Sequence, residues 1–170
     1  MELKWMGALL IIAGCGGFGF TLAANHRREE RALRQLIAAL DYMACELQYR
    51  LTPLPELCRQ AGRESDGCTG TVLVTLAEEL EDQISPDVST CMLAALRKSK
   101  DVPSVAEGCL RSLGGSLGRF DLEGQIKGLE SVRANCRREL ESLSRNKEER
   151  LRSYQTLSLC AGAALAILFL

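Results

Sequence analysis

The chain has 170 residues, of which 46% are hydrophobic and 25% charged, and its 21 basic and 22 acidic residues give a formal net charge of −1. This balance excludes a strongly basic nucleic-acid-binding protein and a polyanionic disordered tail. All charged residues except Glu2 and Lys4 lie between Arg27 and Arg152, so the sequence predicts one charged domain, residues 27–152, between two uncharged ends.

Both uncharged ends predict membrane-spanning helices. Residues 5–24 carry no charge, and 20 helical residues at 1.5 Å each match a hydrocarbon core of roughly 30 Å. Residues 154–170 repeat this pattern at the lower limit of length for a span. A cleaved signal peptide is the alternative for the first segment, because small residues stand at Ala23 and Ala24. Its Gly-rich run is long for such a peptide, however, and the second segment would still need an explanation.

Basic residues lie beside both uncharged segments, on the side of the charged domain, whereas Lys4 alone lies on the far side. Basic residues are enriched at the cytoplasmic ends of membrane-spanning helices, so the domain 27–152 is predicted to lie in the cytoplasm. The eight residues that carry this prediction are Arg27, Arg28, Arg31, Arg34, Arg145, Lys147, Arg150 and Arg152.

The first helix of the charged domain is predicted from apolar residues that recur at steps of three and four between Arg28 and Arg50. It is expected to continue out of the first span and to end near Leu51. The sequence Thr52-Pro53-Leu54-Pro55 disfavours helical geometry before each proline and allows Pro53 to open a short second helix that reaches Ala61.

Four further helices follow from the same periodicity and from local start and stop signals. The third carries the apolar stripe of residues 72–80, and Ser85-Pro86-Asp87 supplies a cap, a first-turn proline and an acid for the fourth. Pro103 opens the fifth, which is expected to stop at Gly114-Gly115. Asp121 is placed to cap the sixth and longest helix, whose apolar stripe is expected to begin at Leu122.

The predicted fold is all-α: an antiparallel six-helix bundle flanked by an N-terminal and a C-terminal transmembrane helix. A sheet is disfavoured, because no segment shows sustained alternation with β-branched residues.

Each predicted span also has a face of small residues at every fourth position. Helices in lipid associate through such close-packing faces, although small residues are also common in spans that never pair. The candidate packing residues are Ala13, Gly17 and Thr21 in the first span and Ser158, Gly162 and Ala166 in the second.

Catalytic, metal and cofactor sites are not indicated. The single histidine, His26, lies among arginines at the membrane edge, and the eight cysteines lack a CxxC spacing, which argues against a triad and a zinc site. The Gly-rich segment 113–121 lacks the GK[ST] ending of a phosphate loop. Paired carboxylates such as Glu78-Glu79 are interpreted as solvated helix surface, and the cysteines as small buried side chains in the reduced state.

Two groups of residues remain as candidates for a partner contact or a structural motif. Glu46 and Tyr49 flank the first apolar stripe just before Thr52 and Pro53, where they either fix the following turn by packing and a hydrogen bond or contact a partner. Gly114, Gly115 and Gly118 are interpreted as the permissive residues of a helix stop and tight turn, with Asp121 accepting hydrogen bonds from the free amides of the next helix. Gly114, Gly118, Asp121 and Gln125 form the second group of candidates. Together they give eight candidates.

By residues 34–40 and 46–54, and by residues 113–118 with Asp121 and Gln125, the chain resembles the stage III sporulation protein AB family over essentially its whole length. The resemblance implies a six-helix cytoplasmic domain similar to one half of the F-type platform proteins of type II secretion and type IV pilus systems. It also implies a place in the channel between mother cell and engulfed forespore. The chain departs from a full platform protein in having one such domain and two spans, and self-association could replace the missing domain.

The function expected from these features is a non-enzymatic, membrane-anchored platform in the mother-cell membrane around the forespore. Its expected partners are a secretion-type ATPase of the same assembly and other membrane proteins of the sporulation channel, with no cofactor. The alternative is a membrane-anchored sensor or adaptor that uses the sixth helix as a dimeric coiled coil.

Overall fold

The structure, a computed structural model, describes residues 2–82, 87–118 and 121–169, with side chains over residues 25–82, 87–118 and 121–145. Six α-helices and no strand occur in these ranges, which confirms the all-α prediction with six helices. The helices are α1 (Glu2–Tyr49), α2 (Leu54–Arg63), α3 (Gly67–Glu81), α4 (Val88–Lys98), α5 (Ser104–Ser116) and α6 (Leu122–Phe169).

The helices pack as an up-and-down bundle, in which each of α2 to α5 contacts the next in sequence and α1 contacts α2, α3, α5 and α6. Short connections make sequential neighbours antiparallel. The long helices α1 and α6 are joined across the bundle by an ion pair in which the Arg133 Nη1 lies 2.5 Å from the Asp41 Oδ1.

One end of the bundle, which we call the upper end, gathers the ends of α1, α3 and α5 and the starts of α2, α4 and α6. Gly118 marks this meeting point, because a Cβ placed on it would lie 2.5 Å from the Val88 Cγ2 at the start of α4 and 3.7 Å from the Leu54 Cδ2 at the start of α2. Its φ of +75° is a left-handed conformation that glycine adopts without strain. A glycine at this position therefore allows the segment after α5 to pack closely against the starts of α2 and α4.

The opposite end, the lower end, holds the α2–α3 and α4–α5 connections against residues 28–32 of α1. The Thr69 hydroxyl donates a hydrogen bond to the Ala32 carbonyl oxygen at 3.3 Å, and the Arg28 guanidinium donates to the Asp101 carbonyl oxygen at 2.7 Å. Because Arg28 follows the predicted span 5–24 closely, the lower end is the end of the bundle nearest that span.

The apolar stripe of α1 forms the centre of the core, as its periodicity predicts. Its buried members pack with leucines from α3, α5 and α6, and α4 adds Met92. The fully buried large side chains are Leu33, Leu36, Leu40, Met43, Leu57, Leu73, Leu76, Met92, Leu110, Leu113, Leu117 and Leu129.

The predicted stop of α5 at Gly114-Gly115 is wrong, because the helix continues to Ser116. Gly114 is a packing residue: a Cβ there would lie 2.7 Å from the Met92 Cβ on α4, so its missing side chain allows α4 and α5 to approach. Leu117, directly after Ser116, is extended and buried, and Gly118 follows it. At the start of α4, Asp87 occupies the cap position, whereas Ser85 and Pro86 lie outside the described residues.

The interpretation of Glu79 as solvated surface is also wrong. Its side chain is buried beside α4 and forms an ion pair with Lys98, and the hydrogen bond between them raises the pKa of the lysine. The partner comes from another helix, which a run of acidic residues in the sequence does not reveal.

The backbones of α1 and α6 include most of the predicted spans 5–24 and 154–170. Their side chains, including the six small residues proposed for packing, lie outside the described ones, so the two spans stay predictions. Within the described part of the chain, no helix combines the length and the apolar character of a membrane span.

Candidate docking surface

The two candidate segments, distant in sequence, meet at the upper end of the bundle. Residues 46–54 run from the end of α1 to the start of α2, and residues 114–118 and 121–125 contain the end of α5 and the start of α6. Antiparallel pairing of Asp41 with Arg133 sets the level of the two long helices. Gln125 precedes Arg133 by eight residues and Tyr49 follows Asp41 by eight, so the end of α1 and the first turn of α6 lie at about the same level.

Glu46 and Thr52 fix the α1–α2 turn. The Thr52 hydroxyl donates a hydrogen bond to the Glu46 Oε2 at 3.2 Å, and the Arg50 Nη1 lies 3.9 Å from the Glu46 Oε1. Of the two interpretations of Glu46, the structure therefore supports the hydrogen bond that holds the turn. Pro53 lies at the cap position of α2, where its carbonyl oxygen accepts a hydrogen bond from the Leu57 N–H at 2.9 Å.

Three large hydrophobic side chains are exposed among the described residues, and all three lie at the upper end. Tyr49 is 77% exposed, Leu51 66% and Leu122 39%. We call these three residues the upper surface. Exposed apolar patches on small domains mark sites of interaction with a partner, whereas scattered single residues need no explanation. Their concentration at one end is the feature that requires a function.

Leu51 adds a second unusual property, because its φ is +51°. A left-handed conformation costs a residue with a side chain roughly 1–2 kcal/mol relative to glycine. The turn therefore holds a leucine in a conformation that favours glycine, and it leaves that leucine exposed.

The rim of the upper surface is charged and of mixed sign. Arg50 is exposed beside Tyr49, and the Lys127 Nζ lies 2.6 Å from the Glu123 Oε1 on the first two turns of α6. An apolar centre with a polar rim is the usual organisation of a protein–protein interface.

The remaining candidates are structural. Asp121 caps α6, because its Oδ1 accepts a hydrogen bond from the Gly124 N–H at 3.0 Å. Gln125 lies in the first turn of α6, where its N–H donates to the Asp121 carbonyl oxygen at 2.9 Å. Gly118 permits the turn, as predicted, whereas Gly114 packs within the bundle.

Sequence reasoning missed two members of the upper surface. Leu51 lies outside the apolar stripe of α1 and directly before Thr52-Pro53. This isolated position was the only sign in the sequence that its side chain is exposed. Leu122 fits the helical period of α6 and was therefore expected to point inward, but it precedes the first buried turn and is partly exposed.

Metal chemistry finds no support in the described side chains, which contain no group of three or more His, Cys, Asp or Glu residues that could hold an ion. None of the described cysteines forms a disulfide: Cys58, Cys91, Cys109 and Cys136 are buried, Cys68 is half-buried and Cys45 is exposed. Burial alone raises the pKa of the Cys58 thiol to about 12.

Removal of the α6 cap is expected to lower stability without removing the upper surface. Asp121→Ala should cost roughly 0.5–2 kcal/mol in the free energy of unfolding, because the Gly124 N–H loses its acceptor. Chemical denaturation of the full chain in detergent measures this cost. Asp121→Asn is the matched control, since asparagine also caps helices and should retain the wild-type stability. An alanine variant that unfolds like wild type but loses partner binding would make Asp121 a contact residue instead.

A family model described as stage III sporulation protein AB matches residues 4–170. The chain is 25% identical over 171 residues to the stage III sporulation protein AB of Bacillus subtilis (strain 168), with 99% of each chain covered. A solved structure of a stage III sporulation protein AB matches with a TM-score of 0.62 and 21% identity, covering 72% of this chain and 98% of that chain. The structural likeness is evidence for a shared fold.

Proposed function

The chain belongs to the stage III sporulation protein AB family, and from this premise we propose that it is a non-enzymatic, membrane-anchored platform of the channel between mother cell and forespore. Its upper surface docks a secretion-type ATPase of the same assembly. The family name supports a role in the third stage of sporulation. The platform function and the docking of an ATPase go beyond that name and are what we propose.

The observation that carries the proposal is the position of the upper surface. The exposed side chains of Tyr49, Leu51 and Leu122 lie at the opposite end of the bundle from Arg28 and the predicted span that precedes it. A bundle anchored at its lower end presents this surface away from the membrane, where a large cytoplasmic partner can reach it.

Charge supports the same orientation. The arginines that follow the first predicted span lie at or near the lower end, and Arg27, Arg28, Arg31 and Arg34 are all exposed. Basic residues beside a span favour the cytoplasmic side of the membrane. The proposed location is therefore the mother-cell membrane around the forespore, with the bundle in the cytoplasm.

Packing of α6 supports the platform over the dimeric sensor or adaptor. Leu129, Val132 and Cys136, which would form the seam of a coiled coil, are buried within the bundle. A coiled coil with a second copy needs that seam to be free. Self-association would then use other surfaces, including the predicted spans.

Cosedimentation tests the docking. The full chain is reconstituted in vesicles, and the purified ATPase of the same assembly is expected to pellet with them in a saturable manner. ATPase that pellets equally with empty vesicles, or stays in solution at all concentrations, would contradict the proposal.

The orientation predicts which cysteines an impermeant maleimide can reach. Cys45 is exposed on α1, so it should stay unmodified in intact cells and react once the membrane is permeabilised. Cys58 is the matched control, because it is buried and should react only after unfolding. Modification of Cys45 in intact cells would contradict a cytoplasmic bundle.

The predicted spans are expected to take part in assembly through their small faces. Gly17→Leu or Gly162→Leu should reduce crosslinking between spans, because a bulky side chain separates helices that pack through small residues. Gly19→Leu, on the opposite side of the first predicted span from Ala13, Gly17 and Thr21, is the control. The bundle should stay folded in each variant. Unchanged crosslinking in both variants at normal protein levels would make the spans inert anchors.

A further inference from the structure

Four basic side chains at the lower end of the bundle have no partner among the described side chains, and they come from three separate elements. Arg27 and Arg31 lie on α1, Lys100 lies in the α4–α5 connection and Arg145 lies on α6. All four are exposed, and none forms an ion pair with a described side chain. The proposed docking of the ATPase uses the other end of the bundle, so it gives them no role.

The helical rise sets the distance of the α1 arginines from the predicted span 5–24. Arg27 and Arg31 follow the end of that span by three and seven residues, or about 4.5 and 10 Å. The headgroup layer of a bilayer extends roughly 5–8 Å beyond the hydrocarbon core on each side. Side chains on a helix lean toward its N-terminus, which for α1 is the side of the predicted span. With that span in the bilayer, both guanidinium groups therefore reach the headgroup layer.

Arg28 holds the α4–α5 connection at the same level. Its guanidinium donates a hydrogen bond to the Asp101 carbonyl oxygen at 2.7 Å and lies 3.8 Å from the Asp101 Oδ2, so Lys100 lies one residue from this contact. The α2–α3 connection lies farther from the span, because Thr69 donates to the carbonyl oxygen of Ala32, eight residues or about 12 Å beyond the end of the span. Of the two lower connections, the α4–α5 connection is therefore the one at the headgroup layer.

The third element, α6, adds Arg145 at this level. The ion pair between Asp41 and Arg133 aligns the two antiparallel helices. Arg145 lies 12 residues beyond that pair on α6, and Glu29 lies 12 residues before it on α1, so these two residues are level.

Acidic side chains do not cancel this positive charge. Those on the facing part of α1 and in the α4–α5 connection each lie beside a basic side chain or a histidine. The pairs are Asp101 with Arg28, Glu30 with Arg34 and Glu29 with His26. The four basic residues that remain therefore present a positive surface toward the predicted span.

We propose that Arg27, Arg31, Lys100 and Arg145, which we call the lower surface, bind the phosphate headgroups of anionic phospholipids. The α4–α5 connection then rests on the membrane. This inference rests on the proposed membrane anchoring and does not involve the ATPase. Contacts from three separate elements fix the tilt of the bundle, so that the upper surface points away from the bilayer.

Native mass spectrometry of the full chain in detergent tests the lower surface by measuring the phospholipid that the chain retains. Phosphatidylglycerol should be retained in preference to phosphatidylcholine with the same acyl chains. Lys100→Gln should weaken the binding of phosphatidylglycerol about fivefold, whereas Lys100→Arg keeps the charge and should bind like wild type. Arg137→Gln is the matched control, because Arg137 is also exposed without a described ion pair but lies about 20 Å from the end of the predicted span. It should bind like wild type.

Equal retention of the two lipids, or wild-type binding of phosphatidylglycerol by Lys100→Gln, would overturn the proposal. So would an equal loss of binding in Lys100→Gln and Arg137→Gln. Inorganic phosphate at the concentration of the lipid should leave the lipid bound, and displacement would show that the residues bind a free phosphate instead.

Extraction of vesicles with alkaline carbonate tests the membrane anchoring separately. Release of the full chain from the vesicles would contradict the anchor on which the inference rests. A chain that stays in the vesicles but shows no preference for phosphatidylglycerol in detergent would contradict the lower surface alone.

Discussion

Gly70→Ala is expected to destabilise the bundle by roughly 3 kcal/mol, because there is no room for a Cβ where α2 crosses α3. A Cβ on Gly70 would fall on the Ser65 carbonyl oxygen and lie 2.7 Å from the Gly62 carbonyl oxygen. Gly62 has the same constraint from the other helix, since its Cβ would lie 2.9 Å from the Gly70 carbonyl oxygen. Both obstacles are backbone atoms, which cannot move aside as a flexible side chain can.

Gly108→Ala is the matched control, because Gly108 is also helical but exposed, and a Cβ on it would meet no atom within 4 Å. Alanine favours a helix interior over glycine, so this variant should gain up to about 1 kcal/mol. In detergent, the denaturation midpoint of Gly70→Ala should therefore fall below that of wild type, and the midpoint of Gly108→Ala should rise above it. Equal midpoints for Gly70→Ala and wild type would show that α2 and α3 do not pack through these glycines.

Leu51→Gly is expected to weaken ATPase binding at least tenfold while leaving the bundle as stable as wild type or more stable. Glycine removes an exposed apolar side chain, and such anchors carry much of the energy of an interface. It also removes the left-handed strain of φ +51°, so stability should not fall. Binding and stability therefore separate in one variant, as measured by cosedimentation with vesicles and by denaturation.

Tyr49→Ser tests the second exposed side chain of the α1–α2 turn and should also weaken binding about tenfold, whereas Tyr49→Phe keeps the ring and should bind nearly as well as wild type. Ser131→Ala is the distant control, because Ser131 is exposed on α6 well below the upper end. Wild-type binding by both Leu51→Gly and Tyr49→Ser would remove the upper surface from the docking site.

Helix ends that depend on local chemistry could be predicted from the sequence. The Thr52-Pro53 break and the cap at Asp121 were both expected, because proline and an acceptor side chain act within one turn of the backbone. The apolar stripe of α1 could be predicted as well, because the residues on the buried face of a helix recur at steps of three and four.

Features that depend on a distant residue could not be predicted. A glycine in a turn and a glycine in a close packing contact look alike in sequence, and only Met92 across the bundle distinguishes Gly114 from Gly118. Similarly, Glu79 looks like a surface residue in the sequence, and only its ion pair with Lys98 on another helix distinguishes it from one. The strain and exposure at Leu51 depend on how the turn is held by Glu46, which periodicity does not describe.

The central claim, that the upper surface docks an ATPase, is tested most directly by photocrosslinking in sporulating cells. A photoreactive amino acid is placed at position 49, at position 51 or, as a control, at position 131. The account predicts an adduct with the secretion-type ATPase from positions 49 and 51 and none from position 131. An ATPase adduct from position 131 alone, or adducts from positions 49 and 51 that contain only other proteins, would contradict it.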